Sequence, residues 1–326
     1  MTARKKNNSA PPLRAKGKTK PGTHKPVLER EILKNLSPGM GETAADCTLG
    51  YGGHAGKIME KLGEEGLLLG FDVDIAELKK TEKRLSSLKC GFRGINRNFR
   101  FIKEAAAELG ISGFDVILAD LGVSSMQVDN PQRGISYKSN GPLDMRMDTS
   151  LELTGEKILR EYSEGKLSEI FDKYSDEPDS ETIASFIAGQ RKACPITTVN
   201  ELIDLILNAK GYSRNTWQKH NKQSAFGASH PAARVFQALR IEVNDELGAL
   251  KDLLKAAPDV LSPDGRLGII SFHQGEDRLV KKSFAEGLQQ GYYTYISKKP
   301  AAPSAGEIAE NPRSSSAKFR WAVKCK

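Results

Sequence analysis

The sequence contains little cysteine, with four residues in a chain of 326, at positions 47, 90, 194 and 325. No two of them form a C-x-x-C pair, and the five histidines are equally dispersed. Disulfide frameworks and zinc sites depend on closely or regularly spaced cysteines and histidines. The sequence therefore predicts neither a disulfide-stabilised fold nor a metal centre.

Long hydrophobic runs are also absent. No apolar segment approaches the roughly 20 residues that span a bilayer, and the basic N-terminus lacks the apolar core of a secretory signal. We therefore expect a protein that acts in the cytoplasm and has no membrane partner. The hydrophobic content of 38% and the length suit one large globular domain or two smaller ones.

Acidic residues are absent from the first 25 positions, which carry eight of the 49 basic residues. The remaining 41 basic residues balance the 41 acidic ones, so the net charge of +8 belongs to this segment. Its content of Pro, Gly, Ser, Thr and Asn predicts a disordered tail over 1–23. Such a tail can neutralise nucleic-acid phosphates without reading sequence. A solubilising tail is equally compatible with the charge, and a transit peptide is a weaker third interpretation.

Strand and helix signals alternate in the first third of the sequence. Short apolar runs at 43–48, 66–71 and 114–119 are separated by segments with helical spacing. This alternation predicts parallel βαβ units and therefore an α/β fold with a mostly parallel sheet.

The pattern changes after residue 128. Four helical segments follow without an intervening strand signal, at 153–161, 165–174, 180–192 and 198–210. The α/β pattern then resumes, with a strand predicted at 266–272. We therefore predict four parts: a basic tail (1–23), a first α/β part (24–128), an inserted all-helical substrate-recognition domain (129–228) and a second α/β part (229–326).

Two features of the second α/β part make specific predictions. Apolar residues from Val235 to Leu254 recur with helical spacing, which predicts a long amphipathic stripe that packs on the sheet. The alternating run at 317–324 predicts a final antiparallel strand at the edge of the sheet.

A glycine-rich turn follows the first predicted strand. Gly50, Gly52 and Ala55 satisfy a loose dinucleotide-binding pattern, and Asp72 lies 20 residues beyond Gly52, where an acid can bind ribose hydroxyls. Dehydrogenases and methyltransferases both need glycines here, because the backbone must approach the cofactor closely. Asp46 favours the methyltransferases, since an acid before x-T-x-G-x-G is similar to the D-P-F-x-G-S-G loop of amino-methyltransferases.

Asp120 follows the strand predicted at 114–119 and should lie beside the same crevice. A carboxylate there can accept a hydrogen bond from the exocyclic amine of a base and hold its nitrogen in line with a donor methyl group. Ser124, Ser125 and Gln127 add further donors and acceptors. Phe99, after another predicted strand, can cover an adenine ring. The alternatives are a helix cap or turn for Asp120 and a core position for Phe99.

Longer motifs occur in a fixed order along the chain: H-K-P-V-L (24–28), D-C-T-L-G-Y-G-G-H (46–54), D-L-G-V-S-S-M-Q (120–127), G-P-L-D-M-R-M-D (141–148), P-I-T-T (195–198), H-P-A (230–232), F-Q-A-L-R-I (236–241), N-D-E-L (244–247), S-F-H (271–273), E-D-R (276–278) and N-P-R (311–313). In this order they closely resemble the ribosomal RNA small subunit methyltransferase H family. The resemblance covers nearly everything from residue 24 onwards, and G-P-L-D-M-R-M-D is its most specific motif.

The resemblance implies a class I methyltransferase fold interrupted by a helical domain. It also implies S-adenosylmethionine-dependent methylation of N4 of a cytidine in the decoding region of small-subunit ribosomal RNA, within an assembled or late-assembly subunit. Carried onto this sequence, the cofactor contacts fall at Gly52, Gly53, His54, Asp72, Phe99, Asp120 and Gln127. Asp120 is the predicted catalytic residue.

Arg240, Arg278, Lys281 and Lys282 are candidate phosphate contacts, because cationic side chains neutralise the nucleic-acid backbone. Each is alternatively an ordinary surface residue. The predicted substrate-binding set consists of Ser124, Ser125, Arg146, Arg240 and Arg278. Arg146 lies in the most specific motif, which predicts a loop that orders over the active site or holds the helical domain.

The chain departs from the family pattern at Gln274-Gly275, where the family usually has Ser-Leu, and around Pro178. Glycine costs about 1 kcal/mol in a helix. These departures leave alternatives: a diverged paralogue that methylates another RNA, a DNA amino-methyltransferase, or a non-catalytic RNA-binding ribosome assembly factor. The missing N/D/S-P-P-Y/F tetrapeptide after Asp120 counts against the DNA enzyme. The sequence is compatible with a monomer or a homodimer.

Overall fold

The structure, a computed structural model, describes residues 26–223 and 230–326; the predicted tail (1–23) lies outside them.

The strands of the described chain are Thr43–Asp46 (β1), Leu67–Phe71 (β2), Gly91–Ile95 (β3), Phe114–Asp120 (β4), Leu261–Ser271 (β5), Tyr293–Ile296 (β6) and Lys318–Lys324 (β7). They form one sheet in the order β3-β2-β1-β4-β5-β7-β6. Strands β1 to β5 run parallel, and β7 is antiparallel to β5 and β6. The predicted α/β fold with a mostly parallel sheet is confirmed.

The helices of the described chain are Glu29–Leu36 (α1), Gly53–Leu62 (α2), Ile75–Leu85 (α3), Ile102–Glu108 (α4), Ser125–Asp129 (α5), Gly155–Glu161 (α6), Glu164–Ser175 (α7), Ser180–Ala193 (α8), Val199–Ala209 (α9), Arg214–Gln223 (α10), Ala233–Asn244 (α11), Glu246–Val260 (α12), Gln274–Gln289 (α13) and Ala305–Glu310 (α14). The four helical segments predicted between 153 and 210 are all present. Among the described residues, no helix is both long enough and apolar enough to cross a membrane.

The central strands are buried on both faces. Successive residues of a strand point to opposite sides of the sheet, so Ala44 and Leu68 pack with α1 and α2 on one face. Ala45 and Leu69 pack with α4 and α12 on the other. In β1, β2 and β4 the polar side chains therefore lie at or next to the strand ends and in the loops that follow them.

The predicted stripe from Val235 to Leu254 is divided between two cores, so the expectation that it packs on the sheet is wrong for its first half. Asp245 has a positive φ of 46° and breaks the stripe into α11 and α12. Helix α11 contributes Val235, Phe236 and Leu239 to a separate helical core with α6 to α9. Only α12 packs against the sheet. We refer to α6 to α11 as the helical unit.

The expectation that the final strand lies at the edge of the sheet is also wrong. Strand β7 is antiparallel to β5 as predicted, but β6 pairs with its other side. The four-residue strand β6 therefore forms the edge.

Candidate active site

Three aspartates meet at the carboxyl ends of neighbouring strands. Asp46 and Asp120 end β1 and β4, and Asp72 directly follows β2. Since β1 lies between β2 and β4, their loops border one cleft, with a volume of about 280 Å³. The carboxyl ends of parallel strands are where ligands bind in open α/β sheets.

The glycine-rich turn after β1 packs closely against α3, and the predicted cofactor residue Gly52 lies on that side of the turn and is not among the residues that line the cleft. Gly52 precedes α2 with a φ of 77°, and a Cβ atom on it would lie 2.6 Å from Cγ2 of Thr81. The backbone N–H of Gly50 donates to Oδ2 of Asp72 at 3.0 Å, which ties the turn to the end of β2. Gly53 begins α2 and lines the cleft.

Asp72 presents a partly satisfied carboxylate. Its Oδ1 accepts a hydrogen bond from the backbone N–H of Asp74 at 2.8 Å, and its Oδ2 accepts the one from Gly50. Burial raises the pKa of Asp72 to about 6, although both backbone hydrogen bonds oppose the shift. A carboxylate has about four acceptor sites, so each oxygen can accept a further bond from a hydroxyl of a bound molecule.

His54 lies near the buried carboxylate of Asp46 and the partly buried carboxylate of Asp120. Its Nε2 atom is 3.6 Å from Oδ2 of Asp120, which is longer than an ordinary hydrogen bond. His54 Nε2 and Asp120 Oδ1 are both buried, and neither has a hydrogen-bond partner among the residues that the structure describes. Both residues line the cleft.

The charges around His54 favour its protonated form. Burial alone would lower its pKa, but the nearby carboxylates of Asp120, Asp46 and Glu29 outweigh burial and raise the pKa above its usual value. Burial raises the pKa of Asp46 to about 6, while His54 and the N–H of Thr48 oppose that shift. The floor of the site is therefore a cluster of one imidazole and two acids.

Helix α5 begins at the rim of the cleft with a capping box. The N–H of Ser124 donates to Oε1 of Gln127 at 3.0 Å, and the N–H of Gln127 donates to Oγ of Ser124 at 3.2 Å. Phe99 lines the cleft from the loop after β3 and packs partly on the core beneath the sheet. Ser125 belongs to α5, and its side chain is outside what the structure describes.

The loop 131–148, which we call the strap, connects the cleft to the helical unit. Arg133 Nη2 lies 2.6 Å from Oδ2 of Asp74, and Arg133 Nη1 donates to the carbonyl oxygens of Arg146 and Met147. The N–H of Met147 donates to Oδ1 of Asn244 in α11 at 2.7 Å. Met147 lines the cleft, so the strap both borders the site and binds the helical unit.

The three arginines predicted to bind the substrate do not line the cleft. Arg146 is bonded to Asp144 of the strap and to the carbonyl oxygens of Thr149 and Leu151 just beyond it. Arg240 forms a largely buried ion pair with Glu246 at 2.7 Å. Arg278 lies at the surface with a side chain 63% exposed, 3.4 Å from Asp176. Of the three, Arg278 is the most accessible to a nucleic acid.

Other cleft residues were not predicted as site residues. Asn311 and Arg313 wall the cleft from the segment after α14. Arg313 Nη2 lies 2.6 Å from Oδ1 of Asp129. Asn311 and Arg313 belong to a motif that the sequence analysis identified, but the motif alone suggested no role. Arg133 belongs to none of the motifs identified in the sequence, and the motif that contains Asn244 suggested no contact with the strap.

The sequence comparisons with known proteins agree on one family. A family model described as the MraW methylase family matches residues 22–325. Ribosomal RNA small subunit methyltransferase H 2 of Alkaliphilus metalliredigens is 41% identical, over 95% of this chain and 87% of its own length. The methyltransferase H of Geobacter sulfurreducens is 39% identical, over 93% of this chain and 99% of its own. The solved structure of an rRNA methylase from Streptococcus thermophilus aligns with a TM-score of 0.41 at 11% identity, over 92% and 95% of the two chains.

Proposed function

Because this chain belongs to the MraW methylase family, we propose that it methylates N4 of a cytidine in the decoding region of small-subunit ribosomal RNA. The substrate is an assembled or late-assembly subunit, which places the reaction in the cytoplasm. The family resemblance predicted from the motifs is confirmed, and S-adenosylmethionine is the methyl donor. The fold is that of a class I methyltransferase.

The cleft fits such a donor on two observations. The turn after β1 lines the cleft with Gly50, Tyr51 and Gly53, and Gly52 lets this turn pack against α3, where a Cβ atom would collide with Thr81. Asp72 has acceptor sites left for ribose hydroxyls beside its two backbone bonds. Together with Gly53, Phe99 and Gln127, these residues would hold the donor. When bound, the donor supplies a methyl group made electrophilic by its sulfonium.

Asp120 carries the proposal for the reaction. Its Oδ1 atom is buried in the cleft and has no hydrogen-bond partner among the described residues. An unsatisfied buried acceptor is costly and needs an explanation, such as a ligand that donates to it. An exocyclic amine is such a donor, and accepting one of its N–H groups would fix the direction of the nitrogen lone pair. Asp120 is thus the proposed catalytic residue.

The rim of the cleft offers a cation for the RNA backbone. Arg313 is bonded to Asp129, and both side chains are substantially exposed. Exposed ion pairs contribute about 1 kcal/mol or less, so a phosphate can replace Asp129 at little cost. We assign phosphate contacts to Arg313 at the cleft and to Arg278 farther out. We assign Arg146 to holding the strap, and Arg240 to holding the junction between α11 and α12.

The departure at Gln274-Gly275 leaves α13 intact. The helix begins at Gln274, and the His273 side chain caps it by accepting a hydrogen bond from the backbone N–H of Glu276. The Glu276 carboxylate in turn accepts a hydrogen bond from the backbone N–H of His273. Gly275 therefore lies in the first turn, where intrahelical hydrogen bonds of the N–H groups are not yet formed. This geometry gives no support to a non-catalytic alternative.

The test is transfer of labelled methyl from S-adenosylmethionine to small-subunit particles and to naked RNA, with mass-spectrometric mapping of the product. Label at cytidine N4 supports the proposal. Label on another base or on DNA would indicate a different target. No label from a folded, donor-binding protein would indicate an assembly factor.

The role of Asp120 is tested in the same assay. Asp120→Asn keeps an oxygen acceptor and should retain far more single-turnover activity than Asp120→Ala, which keeps none. Asp264→Asn is the matched control, because Asp264 is exposed, remote from the cleft, and has a φ of 59° that asparagine tolerates. Equal rates for the two Asp120 variants would contradict the role.

A further inference from the structure

Two residues that line the cleft each carry a buried polar atom without a hydrogen-bond partner among the described residues: His54 Nε2 and Asp120 Oδ1. An ionised Asp120 can only accept a hydrogen bond, whereas a protonated imidazole donates from both nitrogens. The carboxylates of Asp46, Asp120 and Glu29 around His54 favour that protonated form. The site therefore presents one acceptor and one donor side by side.

The ion pair with Asp120 engages the donor on His54 only loosely. Their closest atoms, Nε2 and Oδ2, are 3.6 Å apart, beyond ordinary hydrogen-bonding distance. The acceptor without a partner is the other carboxylate oxygen, Oδ1. A ligand that reaches these two atoms can thus bond to both residues at once.

The Watson–Crick edges of the bases fall into two classes according to the order of their donor and acceptor groups. Cytosine offers an amine N–H at N4 next to an acceptor at N3, and adenine offers the same pair at N6 and N1. Uracil and guanine present a carbonyl oxygen next to a ring N–H, which is the reverse order. An edge of the second class would place two acceptors together at Asp120 and two donors together at His54.

We infer that His54 and Asp120 together read the Watson–Crick edge of the target base. Asp120 Oδ1 accepts from the exocyclic amine, and His54 Nε2 donates to the adjacent ring nitrogen. Base-modifying enzymes read an extruded base through hydrogen bonds to this edge. The inference rests on the proposed function, and it gives the His54 side chain a specificity role beyond the donor contact that the family resemblance implies.

The experiment replaces one atom of the substrate. Particles that accept label in the mapping experiment are reconstituted with cytidine or 3-deazacytidine, which has carbon in place of N3, at the mapped position. Single-turnover rates are measured at saturating S-adenosylmethionine, and RNA affinity is measured with S-adenosylhomocysteine present. If His54 donates a charge-assisted hydrogen bond to N3, the rate and the affinity of the wild-type enzyme should be about 10- to 100-fold lower with 3-deazacytidine than with cytidine.

Variants of His54 separate recognition from reactivity, because the altered nucleophilicity of 3-deazacytidine is the same for every enzyme form. His54→Ala should shrink the cytidine preference by about tenfold or more. His54→Gln retains an Nε2 donor and should keep part of the preference. The affinity ratios should follow the same order as the rate ratios.

Two outcomes would overturn the inference: a wild-type enzyme that binds and methylates both substrates equally, or an Ala variant with the full wild-type preference. The first is decided on the wild-type protein alone and does not depend on the folding of any variant. Failure of the proposed function looks different, since the wild-type enzyme would then label no cytidine at all.

Discussion

Arg133 and Asp74, 59 residues apart in the sequence, form an ion pair of 2.6 Å at the edge of the cleft. Asp74 also caps α3 by accepting hydrogen bonds from the N–H groups of Ala76 and Glu77, and its own N–H donates to Asp72. The strap is thus joined to the residue that is proposed to bind the donor ribose. A change at Arg133 should therefore affect both stability and donor binding.

Arg133→Ala should lower the free energy of unfolding by about 1.5 to 3 kcal/mol, because it removes charge-assisted bonds to a largely buried carboxylate. Arg160→Ala is the control, since Arg160 forms ion pairs at the surface of α6 with a side chain 56% exposed. It should cost at most about 1 kcal/mol. Denaturant titration of both variants makes the comparison, and similar losses would show that the strap is not held by this pair.

Asp72→Ala should weaken binding of S-adenosylmethionine about ten- to a hundredfold, because it removes hydrogen bonds from the ribose to a charged acceptor. Calorimetry measures the affinity, and Asp264→Asn provides a variant with the same loss of one charge at a remote, exposed site. Unchanged affinity in a folded Asp72→Ala protein would refute the ribose contact.

Donor affinity should depend on pH near 6. Burial raises the pKa of Asp72 to about 6 from 3.8, and only the ionised carboxylate accepts from both ribose hydroxyls. Affinity should therefore be highest above pH 6 and fall as the pH drops through that value. Asp72→Asn should flatten this pH dependence. Asp46→Asn should leave unchanged the part of the pH dependence that comes from Asp72. Calorimetry measures donor affinity across this pH range. If the Asp72→Asn variant has the same pH profile as the wild type, Asp72 is not the source of the pH dependence.

The same raised pKa values have the opposite effect on folding. The folded protein binds protons at Asp46 and Asp72 more tightly than the unfolded chain does. Their contribution to stability is therefore greatest below about pH 4 and declines as the pH rises to about 6. In this window Asp72→Asn should weaken the pH dependence of unfolding as well as that of donor binding.

Three glycine-to-alanine changes separate backbone strain from crowding. Gly110→Ala adds only the strain of a φ of 67°, about 1 kcal/mol. Gly52→Ala adds the contact with Thr81 at 2.6 Å, which overpacking data put at about 1 to 3 kcal/mol more. Gly189→Ala lies inside α8 with open space around it and should stabilise by about 0.5 to 1 kcal/mol. Melting temperatures in any other order would contradict this account.

Deleting residues 1–23 tests the basic tail, which is outside the described structure. The truncated protein should keep its donor affinity but bind RNA more weakly. The salt dependence of RNA binding should flatten by about 0.7 to 0.9 in log-log slope for each lost phosphate contact. Coincident slopes for the full and truncated chains across a salt series would assign the tail to solubility or targeting.

The aspartates of the site were predictable because parallel strands bring their carboxyl ends to one edge. The apolar runs at 66–71 and 114–119, each followed directly by an acid, were enough to place Asp72 and Asp120 at one crevice, whereas Asp46 was identified only as part of a methyltransferase-like loop. The contacts of Arg133 and Asn244 were not predictable, because they join segments 59 and 97 residues apart and follow no local pattern.

The division of the apolar stripe between two cores had no sequence signal either. Its helical spacing continues across Asp245, and neither proline nor glycine marks the break. Aspartate is one of the few residues besides glycine that adopt a positive φ at modest cost. The same break brings Glu246 back to Arg240, so a cation that the sequence suggests is exposed is in fact largely buried. Local periodicity shows which residues are buried, but not the core to which they belong.

The position of the helical unit between two adjacent strands, β4 and β5, also bears on how the chain folds. Pairing these strands directly closes a long loop, and the entropy cost of closure grows with the logarithm of loop length. Once the helical unit has formed, Asn244 holds Met147, 97 residues away, within hydrogen-bonding distance. The residues between Met147 and Asn244 then no longer count toward the length of the flexible loop between β4 and β5, and closing that loop costs about 1 kcal/mol less. The amide that holds the strap at the cleft therefore favours a folding order in which the helical unit forms first and the sheet is completed around it.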